Sequence, residues 1–467
     1  MIHGKTFRRA GLSVALGMCI AGGVQAQSTT GSIQGSVPVT TGTTTVQASN
    51  NSGFSRTVTV DANGRYNLSG LPVGNYTVTV TRDGQVIGSR QVTVVVGSTA
   101  DSSFTAASGG DATTLGAVNV TATTPAAIDL TTTDTRTVIT AEQLERLPLG
   151  RSAEALALLA PGAVAGAAGY GALAGLVSFG GSGVSENAYY INGYFSGEPV
   201  SNLGGFSLPY GAIAQQETFT GGYSAKYGRS AGGVINQIGK RGTNDWEFGG
   251  QLTFAPRAWR EEYKDLYLPD QDLPAGYVYE DPDAAGTLYS SGKGAKSTTT
   301  TYSLYAGGPI VQDRLFVFLA GEAEKSESTS NPTTLGNPRR TYGETTNPKI
   351  YAKIDWNITD NHLLEGTWMK EKEDYEGYYR EYDIFSHQLG ERLVLTPTAQ
   401  ERDSEYRIFK YTGYLRDNLT LSATYGDSEF TAKDTPYLLP GVPHIANPTL
   451  QNPAVNGGSP IYSKLAG

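Results

Sequence analysis

From Trp246 onward the chain alternates apolar and polar residues in runs long enough to be strands. Trp246, Phe248, Leu252 and Phe254 fall on even positions, and Glu247, Gln251 and Thr253 on the odd positions between them. A period of two predicts a β-strand with one oily and one wet face. The pattern recurs. Tyr302, Leu304 and Ala306 oppose Ser303 and Tyr305. Leu315, Val317 and Leu319 oppose Phe316, Phe318, Glu322 and Glu324. Ile350, Ala352, Ile354 and Trp356 alternate with Lys349, Tyr351, Lys353 and Asp355. Further on, Leu364 and Trp368 oppose Glu365 and Thr367, and Leu419, Leu421, Ala423 and Tyr425 alternate with Thr420, Ser422 and Thr424. The run EYRIFKYTGYL reads either way, because each parity leaves a charge or several aromatics on the oily side.

The links between these runs alternate too. GPIVQD, ITDN and RDN are short, whereas roughly 257–296, 327–347 and 375–402 are long and polar. Short turns at one end, long loops at the other and dyad strands between them predict a transmembrane antiparallel β-barrel. A soluble sandwich also alternates, but it does not order its loops this way or set Trp and Tyr near strand ends. On this reading Ile354 faces lipid, and Lys353 and Asp355 face the lumen, where an Arg is expected to be tolerated.

The preceding chain is patterned differently. TTVQASN, FSRTVTVD, GRYNLSGL, GNYTVTVTRDG and SRQVTVVVG are short alternating runs separated by Asn-Asn, Asn-Gly, Pro-Val-Gly and Asp-Gly turn formers. They predict a small β-sandwich of six or seven strands. Residues 107–136, rich in Thr and Ala, read as a linker. In 137–243, Thr140 and Gln143 have capping-box spacing for a short helix, and Ser152 caps a second that Pro161 stops. Glycine clusters and short apolar strands follow, so this region is a compact α+β unit. Its glycine runs lack the Gly-Lys-Ser/Thr ending of a phosphate loop.

Composition adds the compartment. Lys5, Arg8 and Arg9 precede an uncharged, mostly apolar Ala10–Val24, and VQAQ offers a cleavage site after Ala26. This is the pattern of a secretory signal peptide, and about 15 apolar residues fall short of the ~20 of a spanning helix. Met18 before Cys19 argues against a lipoprotein box. Cys19 is the only cysteine, so the exported chain is left without disulfides. Loss of the three leader cations takes the formal net charge from −9 to −12, a poor match for nucleic acid. With 59 glycines and 28 tyrosines in 467 residues, composition also favours β-structure with tight turns.

Several stretches carry a family resemblance. DANGRYNLSGLPVGNYTVTV resembles the carboxypeptidase regulatory-like domain, without the ligands of a zinc peptidase. LERLPLGRSAEALALLAPG and NAYYINGY resemble the opening helices and a strand of the plug of TonB-dependent outer-membrane receptors. In NAYYINGY, Asn192-Gly193 stands where Asp-Gly is usual. GRSAGGVINQIGKRGTNDWEFGG resembles the end of that plug and the first barrel strand, and AVNVTAT resembles a TonB box. The order matches the Oar-like branch of the family.

The resemblance implies a mainly β chain with a small β-sandwich, an α+β plug domain and the first strands of a barrel. The expected divisions are a signal peptide at 1–26, the sandwich at 27–106, a linker at 107–136, the plug at 137–243 and a partial barrel at 244–467. About seven strands against the family's ~22 imply a fragment. It implies a non-enzymatic receptor in the Gram-negative outer membrane, with the sandwich and linker periplasmic. TonB, with its inner-membrane energising proteins, would pair with Val118, Asn119, Val120, Thr121 and Ala122, and the receptor would import an extracellular ligand without a cofactor or metal. A secreted β-domain adhesin is the alternative. Among the acids of the first long loop, Tyr263, Tyr267, Tyr277 and Tyr279 are candidate ligand contacts. Aromatic–carboxylate surfaces suit sugars or cationic peptides.

Overall fold

The computed structural model describes residues 29–104, 134–147, 152–166, 175–225, 227–228, 230–259, 261–270, 282–332, 339–392 and 398–436. The expected signal peptide and TonB box, together with Tyr277 and Tyr279, lie outside them.

The N-terminal unit is a sandwich of seven strands. β1 (Thr30–Ser36), β4 (Arg65–Pro72) and β7 (Thr99–Asp101) make one sheet in the order β4-β1-β7. β2 (Thr44–Asn50), β3 (Ser55–Thr59), β5 (Gly74–Arg82) and β6 (Gln85–Val94) make the other in the order β3-β2-β5-β6. The alternation explains the packing, since Ile33, Val46, Ala48, Val58, Leu68, Val78 and Val80 all turn into one buried core between the sheets.

The second unit begins with β8 (Thr135–Thr140). Helix α1 (Ala141–Arg146) starts at the expected capping box, in which Thr140 N donates to Gln143 Oε1 at 3.0 Å. Helix α2 (Ala153–Ala157) is capped by Ser152, whose Oγ accepts from Ala155 N at 3.1 Å, and it ends sooner than the apolar run predicts. β9 (Ala163–Ala165) and β10 (Val177–Phe179) form a small hairpin. β11 (Ala188–Ile191), β12 (Tyr194–Phe195), β13 (Ile213–Gly221) and β14 (Val234–Gly239) join β8 in a sheet of order β12-β11-β14-β13-β8. The Asn192-Gly193 turn joins β11 to β12 with both residues at positive φ, 50° and 80°, as a two-residue hairpin turn requires.

The third unit is a wall. β15 (Glu247–Ala255) is followed by the short pair β16 (Leu266–Tyr267) and β17 (Leu288–Ser290). Long strands then run as β18 (Lys296–Val311), β19 (Leu315–Ser330), β20 (Arg339–Thr359), β21 (His362–Tyr382), the short β22 (Leu389–Arg392), β23 (Thr398–Arg416) and β24 (Leu419–Pro436). The order β15-β18-β19-β20-β21-β23-β24 is antiparallel throughout and does not close on itself among the described residues. The first short link is tighter than expected: GPIV belongs to β18, and the turn passes through Asp313 at φ 62°.

Face parity follows the sequence. Phe248 and Leu304 are 72% exposed on the outside, whereas Phe316 and Phe318 are 0% and 1% exposed on the inside. EYRIFKYTGYL resolves with even residues inward: Tyr406, Ile408, Lys410, Thr412 and Tyr414 are buried, while Arg407, Phe409 and Leu415 face out. The outward Arg407 is matched by Glu405 at 2.6 Å and Asp427 at 3.3 Å. Outward residues of β19 are apolar or small from Leu315 to Ala323 and then turn charged, with Lys325 against Glu344 of β20 at 3.0 Å. Nine residues make about 30 Å of strand, which at the usual tilt spans a little over 20 Å, close to the apolar band of an outer-membrane barrel.

A prediction follows from that band. In a closed barrel, Ile354→Arg should cost roughly 2–4 kcal/mol and Ile358→Arg, near the short turn, about 0–1 kcal/mol. Unfolding titrations of the two variants in lipid bilayers check this, and equal costs would contradict the assigned depth.

Candidate functional site

The plug sheet lies against the lumen side of the wall. Ile191, Phe206, Leu208, Ala212 and Ile213 of the plug share one core with Phe318, Ala320, Tyr351, Met369, Tyr406 and Ile408 of the wall. At the C-terminal end of β14 the backbone comes closest. A Cβ at Gly239 would stand 2.1 Å from Tyr351 Oη, so only glycine fits there. Tyr351 Oη donates to Lys240 O at 3.2 Å. Asn192, from the β11–β12 turn, accepts from Gly239 N at 2.9 Å and donates to Thr367 Oγ1 at 3.2 Å and Tyr351 Oη at 3.4 Å. The Asn at this position therefore joins two plug strands to two wall strands, and its amide supplies the donors that a carboxylate would lack.

Next to this seam lies a cluster of five charges. Arg241, in the link from β14 to β15, donates to Glu365 of β21 at 2.6 Å and stands 3.2 Å from Asp355 of β20. Lys353 reaches Glu365 at 3.0 Å and Asp355 at 3.6 Å, and Lys410 of β23 reaches Glu365 at 3.7 Å. Lys353 is 4% exposed and Asp355 1%. Burial works against the Arg241 charge, but Asp355 and Glu365 more than offset it and hold the guanidinium above its ordinary value. Charges taken out of water interact strongly but pay a large desolvation cost, so each one present makes the others harder to remove. Neither Asp355 oxygen completes a hydrogen bond, so the ion pairs alone compensate it. The arrangement binds the plug's last segment to three adjacent wall strands.

This geometry corrects one expectation. Lys353 and Asp355 do face the lumen, but they are not tolerant positions, because the plug covers them and their charges complete the cluster. The parity was readable and the burial was not, since it depends on a segment more than a hundred residues earlier. The signal that could have found the cluster is the run of ionisable residues on the inward parity of successive strands, Lys353 and Asp355, then Glu365, then Lys410. Tyr263 and Tyr267 are exposed between β15 and β18, Tyr267 within the β16–β17 pair, and neither approaches the cluster.

A sandwich, an α+β unit and an antiparallel wall whose inner face grips that unit are the layout of a plugged β-barrel. Comparison with known families agrees. The carboxypeptidase regulatory-like domain matches residues 32–107, and the TonB-dependent receptor plug domain matches residues 129–234. The chain therefore carries a regulatory-like domain followed by a plug domain of the TonB-dependent receptor type. It is 26% identical over 354 residues to the TonB-dependent transporter Oar of Myxococcus xanthus, covering 71% of this chain and 30% of Oar. Among solved structures it is similar to the outer membrane transporter YddB from Escherichia coli, with a TM-score of 0.38 and 15% identity over 64% of this chain and 48% of that one. It is also similar to the siderophore receptor PirA from Acinetobacter baumannii, with a TM-score of 0.36 and 17% identity over 64% and 45%. The chain thus spans under a third of Oar and about half of these receptors. No helix among the described residues is long and apolar enough to cross a membrane.

Proposed function

We propose that this chain is the N-terminal part of a TonB-dependent importer rather than an enzyme. The plug held to the wall by one buried charge cluster carries the reading: a plug that must stay shut at rest and yield on demand needs an anchor that is strong when dry. The external loops capture a ligand, and TonB pairs by strand addition with Val118–Ala122 and pulls. That linker enters the plug through β8, an edge strand whose ladder partner is β13, so force applied there loads this edge of the plug sheet first. Tyr263, Tyr267, Tyr277 and Tyr279, set among acids, suit a sugar or cationic peptide better than an anionic chelate. The matched relatives are receptors and transporters, and none favours a secreted adhesin.

The test separates binding from transport. Proline has no N–H and resists a paired strand position. Val120→Pro in the complete receptor should abolish uptake and leave surface binding intact, whereas Val120→Ala should do much less. Both are measured on the same cells, and normal uptake by Val120→Pro would remove the box from this segment.

A further inference from the structure

The sandwich does not hang free of the barrel. Its β2–β3 loop fits the short-turn rim of the wall. Asn51 O accepts from Asn244 N at 2.8 Å, and Asn51 Nδ2 donates to Asp245 at 2.9 Å. Ser52 O accepts from Asn357 Nδ2 at 3.0 Å. A Cβ at Gly53 would run into the backbone of Asp313, so this loop lies flush on the β18–β19 turn. Phe54 meets Tyr414 of β23 edge-on at 5.7 Å, and Tyr414 Oη donates to Gly70 O at 2.6 Å. On the plug side, Val96 N donates to Gln215 Oε1 at 3.0 Å, and Arg136 donates to Gly97 O at 2.8 Å.

Arg56 marks this contact as a built one. Its side chain belongs to the sandwich yet is only 4% exposed. The guanidinium sits 4.4 Å over the Tyr414 ring and donates to Asp417 O at 3.0 Å as well as to Ser69 O of its own domain. An arginine buried against partners of another unit as well as its own is fully matched only while the two are docked. Tyr414 itself is part of the sandwich core.

The docked face also closes over the charge cluster. A cavity of about 50 Å³ has Thr29, Thr30, Pro72 and Val73 of the sandwich on one side and Arg241, Lys353, Glu365 and Lys410 on the other. Lys410 Nζ donates directly to Thr29 Oγ1. We propose that the regulatory-like sandwich is a periplasmic cap. Docked on the rim, it keeps water from the cluster that ties plug to wall, and it leaves the rim before the plug moves. The second half rests on the import reading above; the first does not. Hydration of five charges weakens their attraction by raising the local dielectric, so undocking loosens the plug without breaking any bond within it.

Two experiments on the complete receptor test this. Thr412, 3% exposed, lines the cavity from the wall. Thr412→Cys should react with a small charged thiol reagent at least ten-fold faster when Asn51→Ala and Arg56→Ala are added, and equal rates would overturn the seal. This arm involves no transport, so it stands or falls apart from the import reading. In the second, Asn51→Cys and Asp245→Cys are joined by a short cleavable bis-thiol cross-linker. Uptake should fall at least ten-fold, with surface binding unchanged, and return when the linker is cut. Uptake that persists through the cross-link would overturn the undocking step, and so would loss of binding.

Discussion

Glu365→Ala in the complete receptor is expected to cost about 3–5 kcal/mol of stability, because it removes one partner from a buried ionic group and leaves the others uncompensated. Glu365 is the common partner of Arg241, Lys353 and Lys410, at 2.6, 3.0 and 3.7 Å. Without it, three cations share Asp355 alone. Glu365→Gln keeps the volume and one acceptor and should fail nearly as badly, which separates charge from packing. Adding Arg241→Met should restore part of the loss, since three cations against one carboxylate become two. Denaturant titrations of the single and double variants give the coupling. Additive effects would mean that the cluster does not act as a unit.

The wall strands were legible because one period decides both their structure and their faces. Trp246 to Phe254 and Ile350 to Trp356 need only the alternation to be placed, and a one-residue slip would have put Lys353 and Asp355 into lipid. EYRIFKYTGYL was not legible. Arg407 faces outward and Lys410 inward, and each is compensated by residues of neighbouring strands, Asp427 in one case and Glu365 in the other. A pattern confined to one strand cannot report partners supplied by two others. The plug helices were legible through their caps, Thr140 with Gln143 and Ser152. The packing of the plug was not, because Asn192 and Arg241 are ordinary polar residues until the wall surrounds them. The docking of the sandwich left even less trace, since Arg56 sits in an alternating strand where its burial has no local signature.

The plug–wall seam yields the other large effect. Tyr351 is fully buried where the plug meets the wall. Its hydroxyl reaches Lys240 O and the Asn192 amide, its ring packs edge-on to Phe318 at 6.2 Å, and Gly239 lies flat against it. Tyr351→Ala should cost about 3–5 kcal/mol, the range for truncating a buried aromatic residue. Filling the space from Gly239 is barred, because that backbone is already held by Asn192 and by pairing with Ile213. Tyr351→Phe keeps the ring and loses only the polar contacts, so it should cost about 1 kcal/mol. The ring thus carries most of the effect, and the hydroxyl sets the register of plug on wall. In cells the alanine variant should leak bulky antibiotics that the parent excludes, while the phenylalanine variant stays tight. A leak of equal size in both would place the barrier in the hydrogen bonds rather than in the packing, and no leak in either would mean that the plug is held shut elsewhere.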